Sequence, residues 1–275
     1  INLCDCLVSG GTSRSDHSEV GSSYIHFNYT PQQDKATPSL IGDVPRGVML
    51  RERPIFLGGQ GGLVGPSTIG FGAVIAAGVV FKGDLPEGRI TYYGQPGHKE
   101  RGFIPGLYGE IKPRVLNNIR YIANILALRQ WYVNVRSLFL APELTAAALN
   151  LLDAAVDERI RRLKALAMKM PESIRCHRTL QAGEQSEILI RRQTELHDAW
   201  QAVEDSLNAM RGHVGDTRLM DAFLQEISRS HGPYIKAIQA LGAQPCQTGT
   251  RWLTGLVEQI TAAAMQPLPT FTATG

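Results

Sequence analysis

The chain predicts a parallel β-helix followed by an α-helical bundle, and three observations carry that expectation. Over residues 63–86, LVGPSTIGFGAVIAAGVVFKGDLP, Leu63, Ile69, Ile75 and Phe81 recur every six residues, with small residues filling most gaps. That period is neither the 3.6 of an amphipathic helix nor the alternation of a half-buried strand. It arises when strands of two or three residues are joined by tight turns, three to a coil, so that one aliphatic residue per strand points inward. Glycine suits corners that need a positive φ. The second observation is that Gly and Pro crowd the chain up to about residue 106 and that Gly is scarce beyond it. The third is that apolar residues after position 110 fall at helical spacing. The expected division is a β-helix over 1–90, a linker over 91–110 and a helical region over 111–275.

Taken in order, residues 1–30 are rich in Ser, Gly and short polar residues, with Leu7, Val20 and Ile25 as the expected inward positions. Ile1 and Leu7 stand six apart, so the chain is expected to begin inside the repeat, with earlier coils or a further domain upstream. TPQQDKATPS and GDVPRGVMLRERP each carry proline, which fixes φ and removes a donor; both read as loops leaving the coils. Regular coils resume near Leu57 and run to about Leu85. PEGRITYYGQPGHKERGFIPG then reads as an exit linker.

Helical spacing follows in Val115, Ile119, Ile122 and Leu126, within 111–139. A second long helix is expected over 142–170, closed by Pro171, and a third over 184–210. Shorter ones are expected over 216–230, 233–241 and 249–265. DERIRRLKALAMK reads as a solvated face with i,i+4 ion pairs or as a partner-binding surface. A bundle of this kind is a scaffold, a lid or an oligomerisation element.

The totals exclude several classes. With 275 residues, 43 % hydrophobic and 19 % charged, a substantial core is available. A net charge of +3 without basic–aromatic clusters gives no ground for a nucleic-acid partner. No apolar run reaches the roughly 18 residues that span a bilayer, so no membrane is expected. Cys4, Cys6, Cys176 and Cys246 have neither disulfide-framework nor zinc-site spacing. No metal is expected, and the cytoplasm is the default compartment.

Chemistry concentrates between Asp16 and Lys35, in DHSEVGSSYIHFNYTPQQDK. A histidine has an intrinsic pKa near neutrality, so His17 or His26 is a candidate to take a proton from an amine nucleophile and return it. Asp16 or Glu19 would orient such a ring. The plainer readings are an exposed capping residue for His17 and a strand residue for His26. Asn28 offers a donor and an acceptor that would hold a sugar amide or a developing oxyanion. Tyr29 supports the same wall or is structural. Lys35 reads as a phosphate contact or a solvated loop lysine, and Arg51 and Arg53 are further candidates for a phosphate.

NYTPQQDKATPSLIGD followed by LVGPSTIGFGAVIAAG resembles the acyltransferase half of the bifunctional N-acetylglucosamine-1-phosphate uridyltransferase/glucosamine-1-phosphate acetyltransferase family. The family pattern is an Asn-Tyr-Asp-Gly loop, a Lys, a Thr-x-Ile-Gly-Asp turn and a Leu-Val-Ala-Pro…Ile-Ala-Ala-Gly coil pair. The match covers about residues 20–85. It implies a left-handed, hexapeptide-repeat β-helix, a homotrimer, and acetyl-CoA bound between neighbouring prisms. It also implies that Asn28 and Tyr29 lie beside the thiol end of acetyl-CoA, that Lys35 contacts the amino-sugar phosphate, and that the Ala77 backbone touches the cofactor. A cofactor-contacting serine of the family falls near Gly59. Thr30-Pro31 replaces Asp-Gly, and the loop before Gly42-Asp43 is longer. The family's catalytic histidine also stands farther ahead of its Asn-Tyr pair than His17 stands ahead of Asn28. The helical region after 105 has no counterpart in that family.

The expected function is therefore acyl-CoA-dependent N-acylation of a phosphorylated amino sugar or nucleotide sugar. His17, His26 and Asn28 would be the catalytic groups, and Tyr29, Lys35, Arg51 and Arg53 would hold the substrate. Asn28, Tyr29, Gly59 and Ala77 would hold acetyl-CoA. The alternative is a non-catalytic trimerisation or effector-sensing module of a sugar-nucleotide pyrophosphorylase-related protein, with the nucleotidyltransferase upstream.

Overall fold

The computed structural model describes residues 2–3, 5–92, 103–180, 184–230 and 232–272. Eleven short strands come first: β1 (Asn2–Leu3), β2 (Cys6–Val8), β3 (Glu19–Val20), β4 (Ile25–Phe27), β5 (Ser39–Ile41), β6 (Phe56–Leu57), β7 (Gly62–Val64), β8 (Thr68–Ile69), β9 (Val74–Ile75), β10 (Val80–Lys82) and β11 (Ile90–Thr91). They form three small sheets, β1-β2-β5-β8, β3-β6-β9-β11 and β4-β7-β10. All the pairings are parallel except β1 with β2. The chain visits the first, second and third sheet in turn and then returns to the first, a β-helix-like arrangement.

Register identifies the inward columns. Val8, Ile41 and Ile69 align in the first sheet, with Leu85 bridged to Ile69. Val20, Leu57, Ile75 and Thr91 align in the second, and His26, Leu63 and Phe81 in the third. Leu63, Ile69 and Ile75 are fully buried, as the six-residue period requires, and Phe81 packs half-buried against the same core.

Two expected inward positions are off by one residue. Val8, not Leu7, and His26, not Ile25, stand in the columns. Successive strand residues face opposite ways, so this slip reverses the face of each side chain. Leu7 instead joins the helical core, and Ile25 faces out, 51 % exposed. Ile1, the other half of the first hexad pair, lies outside the described residues, as do 93–102 of the expected linker. The loops at 28–38 and 42–55 leave the circuit as expected, but β5 between them returns the chain to the first sheet and opens a second circuit before Leu57. The second loop carries a single helical turn, α1 (Val44–Gly47), with Asp43 capping through Arg46 N–H.

The helices are α2 (Lys112–Asn134), α3 (Pro142–Ala167), α4 (Met170–Thr179), α5 (Glu184–Asp198), α6 (Trp200–Ala209), α7 (Thr217–Ser228), α8 (Tyr234–Ala240), α9 (Ala243–Met265) and the turn α10 (Pro269–Thr272). Pro171 does not close α3; it occupies the first turn of α4, where its missing N–H has no helical partner to lose. Val115, Ile119, Ile122 and Leu126 bury one face of α2, which packs on α3 and α9. The helical core extends into the strand half through Leu7, Ala36, Val44 and Met49, and Leu40 packs against it. Two buried amides of α2 stitch the seam: Asn118 Nδ2 donates to Ala36 O at 3.0 Å, and Asn124 Oδ1 accepts from Val44 N at 3.0 Å.

The basic run on α3 is only partly a solvated face. Glu158 pairs with Arg161 and with Arg162 at the surface, but Arg159 turns inward to Asp5 at 2.7 Å.

Candidate functional site

The three-sheet circuit has three kinds of corner, and the residues expected to form one site are divided among them. His17, Arg51 and Arg53 lie in the loops from the first sheet to the second. Gly59 and Ala77 lie between the second and third. Asn28, Tyr29 and Lys35 follow β4, between the third sheet and the first, and His26 lies on β4 itself.

His26 faces the inside of the circuit. Its Nε2 is 2.9 Å from Ser39 Oγ, which also accepts from Ser67 N at 3.0 Å. Its Nδ1 is buried without a hydrogen-bond partner among the described residues. Burial is the largest influence on this imidazole and pushes it below its ordinary pKa; Arg159 acts in the same sense, while Asp5 and the Asn28 side chain oppose it. Nε2 is thus engaged by Ser39, and Nδ1 is shut off from solvent. The ring's neutrality has a measurable consequence. The unfolded chain takes up the proton first, near pH 6.5, so the contribution of His26 to stability is complete above that value. It is lost as the pH falls through the lower folded pKa. His26→Gln, which can keep the Ser39 hydrogen bond, is therefore expected to lose less melting temperature between pH 7.5 and 5.5 than the wild type. Equal losses in thermal denaturation would refute that.

The loop after β4 is held from the helical side. Asp34 is buried, and its carboxylate accepts from Tyr108 Oη at 2.9 Å, Arg114 Nη1 at 3.1 Å and Ala36 N at 3.0 Å. Burial, and then that carboxylate, raise the Tyr108 hydroxyl pKa. Gln32 adds two hydrogen bonds to 104–106. Asp34 thus inserts while its neighbour Lys35 faces solvent with a positive φ of 54°. Asn28 Oδ1 accepts from Thr37 Oγ1 at 2.9 Å, and Tyr29 is exposed. Sequence reasoning missed Asp34; its only signal was an acid beside Lys35 in a polar loop, with Tyr108 and Arg114 lying 74 and 80 positions away.

At the first corner, Arg51 is engaged by the helices: its Nε donates to Cys246 Sγ at 2.9 Å and its Nη2 to Leu241 O. Arg53 lies across the backbone of Gly72 and Gly88. His17 is exposed, with Nδ1 3.0 Å from Ser18 O. A cavity of about 590 Å³ adjoins Arg51, lined also by Arg46, Glu52 and Arg251. It contains none of His26, Asn28, Lys35, Gly59 or Ala77.

The second corner is rich in glycine. A Cβ on Gly58 would stand 2.3 Å from Ala77 N, and one on Gly21 2.3 Å from Gly59 N. Only glycine lets these turns stack so closely, and Ala77 above them is exposed.

Among the described residues there is no cluster of acidic, His and Cys side chains fit for a metal, and no helix long and apolar enough to cross a membrane. No family model, curated protein or solved structure matches the chain.

Proposed function

We propose that the strand half is a left-handed hexapeptide-repeat β-helix that acts as a non-catalytic assembly module, joining three copies of this chain through its second and third sheets. One observation carries the reading. The helices cover the outer face of β2 and β5 in the first sheet through Leu7 and Leu40, whereas the outer faces of the other two sheets leave Phe56, Ile90, Ile25, Phe27 and Val80 some 40–50 % exposed. These residues flank the stacked Gly/Ala corner, where Gly21, Gly58 and Ala77 keep the turns close. Exposed apolar side chains gathered on two faces mark an interface, and a closed ring of copies covers them without leaving a free end. The resemblance to the uridyltransferase/acetyltransferase family favours three copies, in a protein that handles sugar nucleotides.

Light scattering after gel filtration is expected to give three chain masses. Phe56→Glu with Val80→Glu should weaken association about thirtyfold or more while leaving the far-ultraviolet circular dichroism unchanged. A wild-type monomer at tens of micromolar would overturn the reading.

A second reading, acyl transfer from acetyl-CoA to an amino-sugar phosphate, is favoured by Asn28, Tyr29 and Lys35 sharing one exposed loop. Since Gly59 and Ala77 occupy a different corner, such a site would be completed by a neighbouring copy. CoA release with acetyl-CoA and glucosamine 1-phosphate, abolished in Asn28→Ala, is its expected result. No CoA release and no calorimetric binding of acetyl-CoA would exclude it.

A further inference from the structure

A cavity of about 930 Å³ lies between the first strands and the helices, lined partly by the loops of the first corner but by none of His17, Arg51 or Arg53. It opens between β2 with its following loop, α1, the end of α2 and α8. Its size falls within the range of small-molecule sites. Much of the lining is apolar, including Leu7, Val44, Leu128, Phe139 and Ile235. Its charged lining is of one sign: Arg14, Arg136 and Lys236, with no Asp or Glu.

Three cations in a half-apolar hollow repel one another, and the usual remedy is a carboxylate. None of the three makes an ion pair among the described residues. Asp16, the nearest acid in sequence to Arg14, accepts the Thr12 hydroxyl and so is directed back onto its own loop.

Arg136 is also held in place, and the loop that carries Arg14 is tied down. Arg136 stacks its guanidinium 3.9 Å above the Tyr234 ring and 5.7 Å from the centre of Tyr132. Stacking uses the face of the guanidinium and leaves donors around its edge for an anion. Trp131 Nε1 donates to Tyr234 Oη at 3.1 Å, steadying the ring beneath. Gln239 donates to Thr12 O and ties the Arg14 loop to α8. Within that loop, Asp16 N donates to Ser13 Oγ at 3.0 Å and Thr12 N to Asp16 O at 2.7 Å.

We propose that this cavity binds a phosphate monoester carried on an apolar or aromatic body. The apolar lining takes the body; the three cations take the phosphate, whose two charges and several acceptor oxygens suit an arginine edge better than a single carboxylate does. Alkyl phosphates and nucleotides share that chemistry. The cavity shares no lining residue with those assigned to acyl transfer or with the outer faces of the second and third sheets, so it stands whatever becomes of either reading.

Calorimetry on the full chain would compare decyl phosphate, below its micelle threshold, with uridine monophosphate and inorganic phosphate. At least one of the two organic phosphates is expected to bind about tenfold or more tighter than inorganic phosphate. Preference for the alkyl or the nucleoside ester identifies the source. Arg14 and Lys236 are both exposed, so Arg14→Glu with Lys236→Glu should fold normally. That variant should weaken the preferred ligand by about tenfold or more, and the wild-type affinity should fall as salt rises. Organic phosphates that bind no better than inorganic phosphate would overturn the proposal. Unchanged affinity in the double charge reversal would also overturn it.

Discussion

Arg159→Ala is expected to destabilise the protein by about 3–5 kcal/mol, the cost of leaving a buried charge without its partner. The guanidinium Nη2 lies 2.7 Å from Asp5 Oδ1, and the two side chains are only 8 % and 11 % exposed. Asp5 sits in the turn between β1 and β2, so the truncation strands a carboxylate where the first circuit meets α3. Urea denaturation at neutral pH measures the loss. Asp5→Asn combined with Arg159→Met should recover much of it, because removing both charges also removes the desolvation penalty. The buried pair should resist added salt, whereas the exposed Glu158–Arg161 pair should contribute little and be screened. A loss below about 1 kcal/mol for Arg159→Ala would put this pair in the same class as a surface pair.

Leu63→Ala should cost about 2–5 kcal/mol, from lost burial and from the cavity left behind. Leu63 is fully buried and stands between His26 and Phe81 in the inner column of the third sheet. No neighbouring circuit can close the gap without breaking its own register. Thr68→Ala is the matched control: it is exposed on β8, beside the inward Ile69, and should change stability by no more than about 0.5 kcal/mol. If the two substitutions moved the denaturation midpoint equally, the inward assignment of Leu63 would fail.

The uninterrupted hexads at 63–81 were legible because no insertion disturbs their phase, and Leu63, Ile69 and Ile75 are buried as expected. Earlier circuits were harder to read. The loops at 9–18, 28–38 and 42–55 break the count, and an imidazole occupies the column position that an aliphatic residue was expected to fill. Leu7 beside Val8 and Ile25 beside His26 therefore pointed to the wrong register. Helix existence was legible from spacing, but the role of Pro171 was not: proline ends one helix and starts the next with equal ease. The candidate site was legible as residue types only. Whether Arg51 faces a ligand or Cys246, and whether Asp34 is solvated or buried against Arg114, depends on partners far away in sequence. No local pattern encodes such pairings.

Leu7, Leu40, Ala36, Val44 and Met49 complete an apolar wall that begins on α2 and α9. Strands and helices are consequently not two beads on a string. A cut through the connecting segment would leave each fragment with a greasy facet, and the two are expected to melt together as one calorimetric unit. Anything that grips the strands, a second copy of the chain included, thereby raises the melting point of helices it never touches. Heat, proteases and binding partners would all meet the same single barrier.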